Sequence, residues 1–144
     1  MEIKNRSAYF EYYIDDKFTA GMVLTGTEVK SLRSGKASFN DSYCIIHQDE
    51  LFLRSFHIAE YTFGTNNNHD PLRERKLLLS KRELKKIQGK IKEKGYTIIP
   101  LRLFFNEKSL AKLEIGLAKG KKLHDKRESI KARDTDREIK RYIK

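Results

Sequence analysis

The chain has 144 residues, with 31 Lys and Arg against 20 Asp and Glu, a formal net charge of +11 and a single cysteine. That length supports one domain with a real core, no run reaches the ~20 apolar residues of a membrane span, and one cysteine builds neither an internal disulfide nor a cysteine-based zinc site. Residues 1–6 carry no apolar secretory core, so cytoplasmic residence is the expectation, and a pI near 9.7 makes polyanions the expected partners, nucleic acid before anionic lipid.

In chain order, residues 9–14 read as an aromatic strand, Asp15-Asp16-Lys17 as a turn and residues 18–24 as the returning strand of a hairpin. Thr25-Gly26-Thr27-Glu28 is a capping-box pattern. It opens a helix of about two turns that ends at Gly35, with Val29 and Leu32 inward and Lys30 and Arg33 outward. Residues 42–47 and 51–58 form a second expected hairpin around Gln48-Asp49-Glu50, and residues 64–71, with three consecutive Asn, form a surface loop. A second capping box, Ser80-Lys81-Arg82-Glu83, precedes an apolar stripe of Leu84, Ile87 and Ile91, and Gly95 suits the C′ position. Ile99, Leu101, Leu103 and Phe105 share one face at period two. Asn106-Glu107 turns the chain, and Ala111, Leu113, Ile115 and Leu117 share one face on the return. Pro100 must mark an edge, a bulge or a strand start.

Six strands in three hairpins with two helices predict a mainly β domain over residues 1–118, an OB-like antiparallel six-stranded barrel, closed or partly closed, with peripheral helices. Residues 119–144 hold eleven Lys/Arg against five Asp/Glu, which is +6 of the +11. Their large apolar side chains are only Leu123, Ile130, Ile139, Tyr142 and Ile143, too few to offset the entropy of ordering, so this basic tail is expected to be disordered when free.

Enzyme chemistry finds little support. His47, His57, His69 and His124 show no ligand spacing, and no nucleophile elbow, P-loop or dinucleotide fingerprint occurs. Cys44 lies in an apolar run as an inert core thiol, and the acidic pairs Asp15-Asp16 and Asp49-Glu50 fall at expected turns. No catalytic residue, metal or cofactor is expected. Basic clusters carry more: Arg73 and Arg75 are candidate bidentate phosphate clamps beside Lys76. Tyr9, Phe10, Tyr12 and Tyr13 lie near Arg6 and could stack on unpaired bases; one of Tyr12 and Tyr13 should point inward, and alternation alone leaves open which. The helix over residues 81–94, with six Lys and one Arg against two Glu, is a secondary candidate.

Several strings, in order, resemble the SmpB family, the SsrA-binding proteins of bacterial trans-translation. They are Asn5-Arg6-x-Ala8, Leu24-x-Gly26-x-Glu28-Val29-Lys30-Ser31-Leu32-Arg33-x-Gly35-Lys36-Ala37, Asp41-Ser42-Tyr43, Asp70-Pro71-x-Arg73-x-Arg75-Lys76-Leu77-Leu78-Leu79, Gly95-Tyr96-Thr97-Ile98-Ile99-Pro100 and the string over residues 118–128. The resemblance spans residues 5 to about 134. It implies an OB-like barrel that binds the tRNA-like domain of transfer-messenger RNA and delivers it to stalled ribosomes, with no bond made or broken by the protein. The RNA-binding positions it implies are Asn5, Arg6, Tyr12, Lys30, Arg33, Lys36, Arg73, Arg75, Lys76 and Leu78. The ribosome-engaging tail it implies comprises Gly120, Lys121, Lys122, His124, Asp125, Lys126 and Arg127, with Lys131 and Arg133 further along. Gly120 would let the chain turn out of the barrel.

The implied partners are the small-subunit decoding centre, the empty mRNA channel and elongation factor Tu in the delivery complex. The implied free state is a monomer without membrane contact. As a helix on the ribosome, residues 123–144 would span ~33 Å with cations on most sides. A ribosomal protein or general single-strand RNA-binding OB-fold protein is the alternative. Departures from the pattern are Thr19, where an acidic residue is expected, Ser80, where Asn is frequent, and a short N-terminus before Asn5.

Overall fold

The computed structural model of the protein describes residues 1–64, 67–93 and 95–122. Along the chain run β1 (Glu2–Lys4), α1 (Ala8–Glu11), β2 (Tyr12–Met22), α2 (Gly26–Arg33), β3 (Ala37–Ser38), β4 (Tyr43–His47), β5 (Glu50–Arg54), β6 (His57–Ile58), β7 (Arg75–Leu78), α3 (Lys81–Lys92), β8 (Tyr96–Phe105) and β9 (Ala111–Gly120). Seven strands make one antiparallel sheet in the order β1-β8-β9-β2-β7-β5-β4, and β3 pairs with β6 apart from it. The mainly β, OB-like class stands. The strand count is nine among the described residues rather than six, and the hydrogen-bonded ladder does not close: β4 packs against β8 without pairing to it.

The expected first hairpin is absent. Tyr12 to Met22 is one strand, laddered to β9 from Tyr12↔Gly120 to Gly21↔Lys112, with a register shift between Ile14 and Asp16. Asp15 is the extra residue of a β-bulge, so the acidic turn signal bends the strand instead of ending it. Distant partners make this possible: the Tyr96 hydroxyl donates to Asp15 at 2.6 Å, and Lys86 Nζ lies 3.1 Å from Asp16. The Lys86 ammonium, above all, holds the Asp16 carboxyl below the usual carboxylate range.

The second hairpin forms through Gln48 and Asp49, both at positive φ (52° and 60°), as a two-residue turn of the type whose twist suits paired strands. Residues 51–58 are not one strand, because the chain kinks at Ser55 (φ 58°) and β6 leaves for the small sheet. The third hairpin is as expected, with the Asn106 carboxamide oxygen accepting from Lys108 N and Leu110 N in its loop.

Pro100 sits at a bulge, where the register shifts before Arg102. That shift breaks the expected single face of Ile99, Leu101, Leu103 and Phe105. Ile98, Leu103 and Phe105 join the main core with Phe18, Leu32, Phe56, Ile87, Leu113, Ile115 and Leu117. Ile99 and Leu101 instead join Ala8, Ala118, Tyr12 and Ile14 in a second small core at α1. Asn5 satisfies the carbonyls at the bulge, its carboxamide donating to Pro100 O at 2.7 Å and its backbone N–H to Leu101 O at 2.8 Å.

The starts of α2 and α3 are capped. At α3, Ser80 Oγ accepts from Glu83 N at 3.2 Å, while the Glu83 carboxylate takes the Ser80 hydroxyl rather than its backbone N–H. At α2 the box is complete: Thr25 N–H donates to Glu28 Oε1 at 2.9 Å and Glu28 N–H to Thr25 Oγ1 at 3.4 Å.

Glu28 does more than cap. It is fully buried, and so is Arg75. Arg75 Nε donates to Glu28 Oε2 at 2.6 Å and Arg73 Nη2 to Glu28 Oε1 at 2.5 Å. The remaining Arg75 donors reach the carbonyls of Phe56, Asp70 and Pro71. His69 finishes the assembly: its Nε2–H donates to Ile58 O at 2.9 Å, which leaves Nδ1 to accept from the Thr27 hydroxyl at 2.9 Å. Helix α2, strand β6 and the loop before β7 are thereby joined by polar bonds inside the protein.

Burial works against the Glu28 charge, but the Arg73, Thr25 and Arg75 donors outweigh it and hold the carboxyl below the usual range. A depressed folded-state pKa means the pair contributes fully above the unfolded value, ~4.3, and loses that contribution as pH falls through the folded value. Glu28→Gln should cost about 3 kcal/mol at pH 7, measured by urea unfolding. The deficit relative to wild type should shrink only below about pH 4; an unchanged urea midpoint at pH 7 would contradict this.

Candidate nucleic-acid interface

The implied RNA-binding residues fall into three groups. The first surrounds α2. Lys30 and Arg33 lie on its exposed side and Lys36 just beyond its end, past Gly35 at φ 72°. The Lys30 ammonium sits 5.3 Å from the Tyr61 ring centre, and the Arg33 guanidinium 5.6 Å from that of Phe105. A groove lined by Lys4, Asn5 and Arg6 on one side and Ala37 to Asn40 on the other continues this surface toward α1. Among the described residues, Arg6, Lys30, Arg33 and Lys36 have no carboxylate within ion-pair distance. Cations so placed are available to phosphate without first breaking an internal pair.

The second group is on the outer face of β2 and β7. Leu78 is 51% exposed opposite Gly21, and Val23 N–H bonds Lys76 O at 3.0 Å, bringing Val23 and Lys76 beside it. Lys76 pairs loosely with Glu50 at 3.1 Å, both ends partly in solvent. Thr19 faces out on the same strand, directly opposite Glu114. A carboxylate therefore does stand on this face, one strand over, bonded to Arg102 Nε at 3.3 Å.

The third group turns inward. Arg75 has no exposed surface and all its bonding is internal, so its expected role as a phosphate clamp is corrected: it is the structural partner of Glu28. In β7, Arg75 and Leu77 face the core while Lys76 and Leu78 face out, the reverse of what charge alone suggests for Arg75 and Leu78. Arg73 is intermediate, with about a third of its side chain exposed, one Nη bonded to Glu28 and to Val23 O. Asn5 is held at the Pro100 bulge.

Of the two tyrosines left open by sequence, Tyr12 packs into the second core and Tyr13 is about half exposed, with Lys121 Nζ 5.0 Å from its ring centre. Tyr12 still reaches a recess of about 560 Å³ that it lines with Asn5, Ser7, Glu11, Asn40, Asp41 and Ser42. That lining carries two carboxylates and several amide and hydroxyl groups, so it suits the donor-bearing edge of a base better than a phosphate. Sequence reasoning did not place Asn40, Asp41 and Ser42 at this recess, although Asp41-Ser42-Tyr43 stood out as a string; Asp41 adopts φ 61°.

The start of the tail is tied down further than expected. Gly120 ends β9 opposite Tyr12, inside the ladder rather than at a turn, so its expected role in turning the chain outward is corrected. Lys121 N–H donates to Glu11 O at 2.8 Å and its ammonium to Tyr9 O at 2.9 Å, while Lys122 is exposed. His124, Asp125, Lys126, Arg127, Lys131 and Arg133, and the expected tail helix, lie outside the described residues.

Among the described residues no cluster of His, Cys, Asp and Glu could hold a metal. Burial pushes the Cys44 thiol well up from its ordinary range, so it stays protonated. No helix among the described residues is long and apolar enough to cross a membrane.

The whole chain is similar to known proteins. The SsrA-binding protein of Flavobacterium psychrophilum is 58% identical over 144 residues, covering 100% of this chain and 96% of that one. That of Phocaeicola vulgatus is 56% identical with the same coverage, and that of Parabacteroides distasonis 54% identical over 100% of this chain and 94% of its own. A solved structure described as "tmRNA-SmpB: a journey to the center of the bacterial ribosome" superposes with a TM-score of 0.72 at 45% identity, covering 90% of this chain and 94% of that one. The SmpB protein family matches residues 2–144. The chain belongs to the SmpB family.

Proposed function

We propose that this protein binds the tRNA-like domain of transfer-messenger RNA and delivers it to ribosomes stalled in trans-translation, acting as a partner to an RNA and not as an enzyme. The observation that carries this reading is the set of cations on and beside α2, Arg6, Lys30, Arg33 and Lys36, that have no carboxylate partner among the described residues, in a chain of this family. Their phosphate contacts set the register of the RNA on the barrel. Leu78 and the outer face of β7 offer apolar contact to unpaired bases with Lys76 beside it, and the recess at Asn5 and Tyr12 offers hydrogen bonds to a base edge.

The tail does the second part of the work. Gly120, Lys121 and Lys122 lead it off the barrel beside α1. His124, Asp125, Lys126, Arg127, Lys131 and Arg133 engage the decoding centre and the vacant mRNA channel, where rRNA phosphate attracts cations from several sides. In this reading the barrel runs to Gly120, two residues beyond the expected boundary at 118, and the tail follows it; delivery involves elongation factor Tu, and the free protein is a cytoplasmic monomer.

Two outcomes test this division of labour. Replacing Lys30, Arg33 or Lys36 singly with Ala should weaken binding to the tRNA-like domain and lower the slope of log K against log salt by about 1 each. A salt slope indifferent to all three would remove them from the interface. Truncation after Lys122 should leave that affinity within about two-fold of the full chain, because a screened tail adds little at a distance. The same truncation should abolish peptide tagging by reconstituted ribosomes stalled on truncated mRNA. Equal losses in both assays would contradict the separation of barrel and tail.

A further inference from the structure

We infer that Phe63 is a stacking platform for an unpaired base of transfer-messenger RNA, with Lys30 and Lys36 holding the flanking phosphates. The inference rests on the RNA-binding reading above and adds a contact that the family motifs in the sequence do not mark. Phe63 is 82% exposed, the most exposed large apolar side chain of the described residues. A single exposed apolar residue is ordinarily unremarkable. This one stands in a loop whose stem is built to hold still.

The Asn68 carboxamide oxygen accepts from Tyr61 N at 3.2 Å and from His69 N at 3.1 Å, and its NH₂ donates to Tyr61 O at 2.9 Å. Gly64 N–H also donates to Tyr61 O, at 2.8 Å. A side chain at Gly64 would place its Cβ 2.4 Å from Asn68 Nδ2, so the clasp requires glycine there. His69, next along, is buried and bonded at both ring nitrogens. The loop is thus tied at one end to the same polar assembly that fixes α2.

Aromatic and cationic groups converge on the clasp. The Tyr61 and Phe63 rings meet edge-to-face at 5.8 Å and 70°, and Phe63 keeps most of its surface in solvent. Lys30 stands 5.3 Å from the Tyr61 ring centre, and Lys36 Nζ lies 3.5 Å from Thr62 Oγ1. Neither lysine has a carboxylate within ion-pair distance among the described residues. An exposed ring beside two ammonium groups held at its neighbours Tyr61 and Thr62 complements a splayed base between two phosphates. The positive surroundings argue against an apolar protein partner, which would have to bury those charges unpaired.

The chain contains no Trp, so Phe63→Trp places a single indole reporter at the site. Titrating the full-length variant with the isolated tRNA-like domain should quench that fluorescence as the complex forms. Phe63→Leu, which keeps apolar bulk but loses the π-face, should weaken binding roughly ten-fold. Unquenched Trp in an RNA-bound complex, or wild-type affinity in Phe63→Leu, would overturn the inference while leaving RNA binding intact. Quenching by small ribosomal subunits but not by the tRNA-like domain would overturn the assignment to transfer-messenger RNA. Failure of the wild-type protein to bind the domain would sink the RNA reading itself.

Discussion

The buried pair of Glu28 and Arg75 is the constraint on which the rest of the structure depends. Removing two charges from water is costly, and the cost is offset by the direct partners that the two charged groups find. Here Glu28 accepts from Thr25 N–H, Arg73 and Arg75, while Arg75 also reaches the carbonyls of Phe56, Asp70 and Pro71. Helix α2, strand β7 and the loop between β6 and β7 belong to different stretches of chain, and this network fixes their mutual position.

From that fixed point the surface follows. With Glu28 held inward at the first turn of α2, helical spacing carries Lys30 and Arg33 outward. The division between internal and external cations is therefore a matter of geometry. Arg75 is wholly internal, Arg73 bridges inside and outside, and Lys30, Arg33 and Lys36 face solvent without a carboxylate partner among the described residues. A protein that must seize a folded RNA benefits from donors already in place, since each long side chain ordered only on binding costs affinity.

How much of this was legible in the sequence varies with the physics involved. The β8–β9 hairpin was readable because Leu113, Ile115 and Leu117 alternate without interruption. The α2 boundaries were readable because Thr25, Glu28 and Gly35 are local signals with local causes. The first hairpin was misread because Asp15-Asp16 signals a turn locally, whereas Tyr96 and Lys86, far along the chain, stabilise those carboxylates within a bulged strand. The face of β8 was misread for the same kind of reason, a bulge at Pro100 whose carbonyl is satisfied by Asn5. Arg75 looked like surface charge beside Arg73 and Lys76. Its parity with Leu77 was the available clue, but the partner that makes an inward arginine tolerable lies 47 residues earlier. The exposed Leu78 is the complementary violation, and such departures from the expected pattern tend to collect at working surfaces.

The account requires selective recognition rather than general attraction to RNA, and charge alone cannot distinguish them. The most direct measurement is the affinity of the full chain for the tRNA-like domain and for an ordinary tRNA, each at a low and a high salt concentration. Phosphate attraction weakens with salt for both RNAs alike, whereas contacts with unpaired bases survive. The account predicts a preference for the tRNA-like domain that persists or widens at the higher salt. Equal affinities that fall together would contradict it.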